Sequence, residues 1–343
     1  MRTFLMAALA AVTLALSTAA ASAAIEGRWI LDFDRDGSGA QLTMKRNDTQ
    51  WGNWSSSHGV ELSDFQGLSR PAGSSEIPAR FALARDAGTI SFEGRLDSEG
   101  GSGRFSFAPA PGFTAAMARE GAGELTEEQV FSAAVHDVSR QLVSELKTLG
   151  YSRLEFDTLV SMRIHGASPQ VIHELQALGY DHLSPDSLVS MRIHGATPAY
   201  IRELKALGYD HLSAESLVSM RIHGATAEYI RELKAAGYEG LSADSLVSMR
   251  IHGASAEFVR ELKALGYERV SADDLVSMRI HGVSPEYIRG LQGLGYRHLS
   301  VDQLVSMRIH GVTLEFVQRM LAADPAVSAD EIVNARIHGR RGD

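Results

Sequence analysis

The sequence predicts an α+β, multidomain chain: a small antiparallel β domain followed by an α-solenoid of short αα-hairpin repeats. Three observations predict it. Between Ile25 and about Glu120, short segments alternate apolar and polar residues and are separated by Gly, Ser and Asp. After Gly121 the Gly-Tyr pairs at 150–151, 179–180, 208–209, 237–238, 266–267 and 295–296 are spaced by 29 residues, which marks a repeat array. Within that period the octapeptide LVSMRIHG recurs letter for letter at 159–166, 188–195, 217–224, 246–253, 275–282 and 304–311.

The first 24 residues, MRTFLMAALAAVTLALSTAAASAA, carry one cation at Arg2, an apolar run from Phe4 to about Leu16, and the small-residue ending Ala21-Ser22-Ala23. That layout predicts a signal peptide over 1–24 and a mature protein that is periplasmic or secreted, with no transmembrane segment. The chain has no cysteine. Disulfides, thiolate metal sites and a lipid-modified cysteine are therefore excluded, and stability must come from buried apolar surface. A formal charge of -9, with both signs mixed along the chain, supplies no basic stripe for a phosphate backbone, so nucleic acid is not an expected partner.

Residues 25–120 read as the β domain. GRWILDFD, AQLTMKR, ARFALARD, GTISFEGRLDS and GRFSFAP are its expected strands, with hairpin turns at DAG (86–88) and SEGGSG (98–103) and with Pro109 and Pro111 ending the sheet. A sandwich or half-barrel with one buried face fits this pattern. Trp29, Trp51 and Trp54 read first as large aromatics covering a small core. The sharper reading makes Trp51, Trp54 and His58, within WGNWSSSHG, a ligand site.

Residues 121–339 read as the array, with 340–343 a basic tail ending in Arg-Gly-Asp. Residues 125–151 fall in register as a divergent first unit, with His136 at the histidine position. VSADEIVNARIHG (327–339) is a closing half unit. Divergent terminal units suit an array whose ends face solvent where inner units face a neighbour.

In the unit 183–209, Ser184-Pro185-Asp186 supplies an N-cap, a first-turn proline and a first-turn carboxylate. Gly195 ends that helix after His194, and Thr197-Pro198 starts a second one. Gly208-Tyr209 predicts a Schellman ending, with Tyr209 folded back onto Leu204. Helices this short are stable only when stacked on neighbours.

On a helical wheel, Leu188, Met191, Val189 and Ile193 form a wide apolar arc with Arg192 inside it, while Ser187, Ser190 and His194 share the polar face. The arginine column is expected to form an inter-helix ion pair with the periodic carboxylates, or to cap a carbonyl. The histidine column precedes a helix-ending glycine, where an imidazole can donate to an orphan carbonyl. Neighbouring histidines are too far apart to share a zinc ion, since stacked helices lie about 8–10 Å apart and each Zn–N bond spans about 2.0–2.1 Å. The Ser/His face remains identical while other exposed positions drift. Ser161/His165, Ser190/His194, Ser219/His223, Ser248/His252, Ser277/His281 and Ser306/His310 are therefore a candidate partner-binding stripe.

No catalytic motif emerges. HELQA (173–177) has Ala177 where a zinc protease needs its second histidine, and neither a G-x-S-x-G elbow nor a phosphate or calcium loop is present. The repeats, with LVSMRIHG, Thr/Ser-Pro starts and YIRELKALGY, resemble those of uncharacterised exported bacterial proteins and the C-terminal arrays of beta-lactamase-sensor-type membrane metallopeptidases. RDAGTISFEGRLDSEGGSGRFSFAP followed by GFTAAMAREG is similar to the segment preceding such arrays. The resemblance implies a sensory or scaffold context in the cell envelope without the peptidase's zinc motif or membrane helices. The expectation is a non-enzymatic scaffold for a protein or peptide partner, with no catalytic residue, cofactor or metal. The alternatives are an envelope ligand-sensing module and a hydrolase with an unrecognised site.

Overall fold

The computed structural model describes residues 25–35, 39–48 and 52–339. The predicted leader, Trp51 and the basic tail lie outside them. By packing, the chain forms two compact units, one ending at Arg163 and one beginning at Ile164. The change of sequence pattern at Gly121 thus falls inside the first unit.

The first unit is built on one antiparallel sheet of seven strands: β1 (Ile25–Phe33), β2 (Gly39–Asp48), β3 (Gly52–Glu61), β4 (Phe65–Gln66), β5 (Ile77–Arg85), β6 (Gly88–Leu96) and β7 (Gly100–Pro109). Their order is β3-β2-β1-β7-β6-β5-β4. The described strands form this single sheet, so the half-barrel expectation fits and the two-sheet sandwich does not. Its curl is visible in side chains. β1 and β5 are three steps apart, about 14 Å in a flat sheet at roughly 4.8 Å per step, yet the rings of Trp29 and Phe81 meet edge-on at 5.2 Å.

Trp29 is fully buried, and its indole N–H donates to the carbonyls of Arg104 (3.0 Å) and Glu93 (3.2 Å). Gly94 makes room for it: a Cβ there would fall 2.7 Å from the indole and 2.2 Å from the Ser102 carbonyl. Two elements lie outside the strands expected for this region. GNWSSSHG (52–59) belongs to the edge strand β3, whose Leu42↔His58 and Arg46↔Trp54 register is imposed by β2. GFTAAMAREG forms the helix α1 (Phe113–Glu120), which buries Phe113 and Met117.

The helices α2 (Glu127–His136) and α3 (Arg140–Thr148) form the hairpin expected from the first degenerate unit. Thr126 and Gln129 close a capping box at the start of α2. The hairpin packs with the sheet: α2 lies on β6 and β7, and Phe131 stacks on Phe105 at 5.7 Å. The buried Arg46 of β2 pairs with Glu128 at 2.7 Å, so its charge is matched where water is scarce.

From α4 (Phe156–Ile164) onward the chain alternates first and second helices of nearly constant length. The first helices are α6 (Pro185–Ile193), α8 (Ala214–Ile222), α10 (Ala243–Ile251), α12 (Ala272–Ile280) and α14 (Val301–Ile309). The second helices are α5 (Pro169–Ala177), α7 (Pro198–Ala206), α9 (Ala227–Ala235), α11 (Ala256–Ala264), α13 (Pro285–Gly293) and α15 (Leu314–Ala323), and α16 (Ala329–His338) closes the array. Ser184 and Thr197 cap α6 and α7 by accepting from Ser187 and Tyr200 N–H. Both helices end in a Schellman pair: Ala196 N–H to Met191 O with Gly195 N–H to Arg192 O, and Tyr209 N–H to Leu204 O with Gly208 N–H to Lys205 O.

Successive units are fastened by side chains that reach orphan carbonyls of their neighbours. Lys205, Lys234 and Lys263 donate to Leu178, Leu207 and Ala236 O at 2.7–2.8 Å. Tyr200, Tyr229 and Tyr287 donate forward to Ala225, Ala254 and Val312 O at 2.9–3.0 Å. Tyr180, Tyr238, Tyr267 and Tyr296 donate to the loops before the following first helices. Ion pairs such as Arg202–Glu174 (2.8 Å) and Arg289–Glu261 (3.2 Å) link the second helices.

Candidate interaction surface

The octapeptide divides between two faces. On the buried side of α6, Leu188 and Met191 are almost fully enclosed. Arg221 of α8 lays its guanidinium over the Tyr200 ring at 4.9 Å, and Arg250, Arg279 and Arg308 stack in the same way on Tyr229, Phe258 and Tyr287 at 4.9–5.1 Å. Arg336 continues the column over Phe316. Each guanidinium also lies against the helix-ending glycine of the preceding unit. A Cβ on Gly195 would stand 3.1 Å from Arg221 Nη2. The carbonyl-capping expectation is met in part, since Arg192 and Arg279 Nε donate to His165 and His252 O at 3.4 and 3.3 Å. Within the second unit, the described ion pairs run between or within second helices and do not include Arg192, Arg221, Arg250, Arg279 or Arg308. There, stacking on a neighbour's ring takes the place of the expected ion pair, whereas in the first unit the column's Arg163 pairs with Asp137.

The other face is open. His165, His194, His223, His252, His281 and His310 are exposed, and Ser161, Ser190, Ser219, Ser248, Ser277 and Ser306 are half-buried. The structure corrects the expected donation from imidazole to carbonyl. Among the described residues, the last carbonyls of these helices accept from Gly, Ala and Val backbone N–H groups and from column arginines, and no hydrogen bond from a column imidazole reaches them. His194 contributes through its backbone N–H, which donates to Ser190 O at 3.0 Å.

The isoleucines require a second correction. Ile193 was expected inside an apolar arc packed on two sides. Instead Ile164, Ile193, Ile222, Ile251, Ile280 and Ile309 are 53–55% exposed. Burial of α6 is confined to the flank marked by Leu188 and Met191, and Ile193 is left exposed like His194. The column continues into the closing half unit as Ile337, 49% exposed. Between α6 and α8 this face forms a depression of about 410 Å³ lined by Asp186, Ser190, Glu215, Val218, Ile222 and His223 among others. The isoleucine column was within reach of the sequence, because Ile is part of the identical octapeptide. The wheel placed it without knowing how much of the helix its neighbours cover.

In the first unit the proposed aromatic platform is partly occupied. Trp54 meets Phe131 edge-on at 5.3 Å, and Trp51 lies outside the described residues. His58 faces His136 across 6.2 Å between ring centres, and Ser56 Oγ stands 3.3 Å from its Nδ1. Burial pushes both imidazoles below the usual histidine value, and the charge of His58 lowers His136 further. This pairing escaped sequence reasoning, because His136 held the array's histidine position while α2 turned it toward β3. A cavity of about 510 Å³ lies elsewhere, lined by Ile25, Phe107, Pro109, Thr114, Leu125 and Val130 among others.

Among the described residues no three His, Asp or Glu side chains gather at metal-binding distance. No described helix is long and apolar enough to cross a membrane. No family model matches the chain, and no curated protein matches it.

Proposed function

We propose that this protein is a non-enzymatic scaffold of the bacterial cell envelope that holds a protein or peptide partner along the exposed face of its first helices. The observation that carries this reading is the row of six half-exposed isoleucines beside the Ser/His stripe. Soluble proteins seldom leave a contiguous apolar patch of this kind uncovered unless it binds something, and repeat arrays use such faces for extended partners. The envelope location rests on the predicted leader and on the likeness of the repeats to those of exported proteins and sensor-type metallopeptidases.

A second reading makes the first unit a sensor of a small apolar ligand. The cavity beside Ile25, Phe107 and Val130 favours it, and the Trp54/His58 region, packed against α2, does not.

Photocrosslinkers placed at Ile222 and Ile251, and separately at the exposed Glu228 and Glu257 of the second helices, test the scaffold reading in an envelope extract. Specific adducts to one identified protein are expected from the isoleucine positions alone. Equal labelling from both faces, or none from the isoleucines, counts against it. Ile222→Ser is expected to change stability by less than about 0.5 kcal/mol, as for other exposed positions, so lost binding would not reflect lost folding.

A further inference from the structure

We infer that the first-helix groove takes an extended, cationic segment of a partner protein, with an apolar side chain at about every third residue. The inference rests on the reading that the isoleucine face is the binding surface, and it names the chemistry of the occupant.

Charge placement is the first argument. The depression between α6 and α8 is lined by the apolar Val218 and Ile222 and by the acidic Asp186 and Glu215. Asp244, Asp273 and Asp302 occupy the same position in later units and are exposed like the first two. Carboxylates in a first turn favour their own helices, which accounts for their presence at this position. Column arginines lie over Tyr200, Tyr229 and Tyr287, and Lys205 and Lys234 hold carbonyls of neighbouring units. Among the described residues no lysine or arginine lines the depression. An apolar lining with carboxylates and no lysine or arginine beside them suits lysine or arginine interleaved with apolar residues and disfavours anionic partners.

Spacing is the second argument. Stacked helices stand about 8–10 Å apart. Three residues of an extended polyproline-II chain, at about 3.1 Å each, span about 9.3 Å. An extended segment can therefore seat one apolar side chain per depression, with two residues between in which to carry a cation to the carboxylates. The first helices also pack more closely on one another than the second helices do.

The test uses the full chain with fluorescently labelled peptides of repeated Val-Lys-Ser or Val-Glu-Ser triplets, read by anisotropy at low and high salt. The Val-Lys-Ser peptide is expected to bind, more weakly as salt rises, and Val-Glu-Ser is not. Affinity is expected to drop about tenfold or more in Glu215→Gln/Asp244→Asn, the scale of several weakened charge contacts, and also in Ile222→Ser/Ile251→Ser. Circular dichroism checks that both variants fold. Equal binding of the two peptides, or a carboxylate variant that binds normally, overturns the cationic assignment while the isoleucine-dependent crosslinks leave the face intact. Binding to neither peptide overturns it as well. A salt-insensitive dimer abolished by Ile222→Ser identifies a second copy as the occupant and likewise overturns it. Loss of both the isoleucine effect and the crosslinks would remove the underlying reading.

Discussion

The Arg221 guanidinium lies 4.9 Å from the centre of the Tyr200 ring, although the two residues belong to successive units. Tyr200 is 6% exposed, and its hydroxyl donates to Ala225 O at 2.9 Å. One aromatic side chain thus receives the next unit's arginine on its face and holds that unit's turn with its hydroxyl.

Separate substitutions resolve the two contacts. Tyr200→Phe keeps the ring and leaves a buried carbonyl unpaired, for an expected loss of about 1–3 kcal/mol. Arg221→Met keeps most of the stem and removes the charge, for about 0.5–2 kcal/mol. Urea denaturation of the double variant is expected to show near-additive losses, because a phenylalanine ring still takes the guanidinium, as Phe258 does for Arg279. An Arg221→Met variant as stable as the parent would mean that the stacking contributes nothing.

The two helix-ending glycines of a unit differ in their surroundings. Gly195 and Gly208 have φ of 72° and 89°, so alanine at either is disfavoured by about 1–2 kcal/mol. A Cβ on Gly208 meets open space, whereas one on Gly195 stands 3.1 Å from Arg221 and pushes its guanidinium aside by a few tenths of an ångström. Gly195→Ala is expected to lower the melting temperature more than Gly208→Ala, and the gap should close in an Arg221→Met background.

Alkali is expected to unfold the array. Burial pushes the hydroxyls of Tyr200, Tyr229 and Tyr287 up to about 12 from an ordinary value of 10.0. In the unfolded chain they lose protons first, so between pH 10 and about 12 stability falls as pH rises, and their contribution is whole only below that window. Tyrosinate absorbance and helicity followed together should change in one cooperative step. Gradual titration of every tyrosine with helicity retained would contradict this.

Acid acts on the first unit. His58 and His136 are both held below the ordinary histidine value of 6.5, chiefly by burial, so the unfolded chain binds protons before the folded one does. Stability is then full above pH 6.5 and is lost as pH falls from there through the lowered folded values. Replacing His136 with Gln should flatten the pH dependence of the denaturation midpoint in that window. Asp86, lowered from 3.8 mainly by its hydrogen bond to Arg140, adds a loss only at more acid pH.

Signals legible in the sequence were those written within a few residues. Ser184-Pro185, Thr197-Pro198 and the two glycines placed every helix end in the unit, because caps and left-handed residues act locally. Alternation in GRWILDFD and GRFSFAP placed strands in the same way. WGNWSSSHG, with serines and glycine instead of β-branched residues, became β3 because β2 offered an unpaired edge, information that lies outside the stretch itself. Of the candidate surface, the Ser/His stripe was legible from its identity across copies. The isoleucines beside it were not, because one wheel describes a helix without its neighbours.

By itself the sequence determined the repeat unit, its helix boundaries and the two-part division of secondary structure, since those depend on backbone propensity and on contacts within a turn or two. Only the tertiary structure decided that Arg221 rests on Tyr200, that His136 faces His58, and that Ile193 stands in solvent with Ser190 and His194. Each of these depends on which surfaces other segments cover, and burial is a property of the assembled chain.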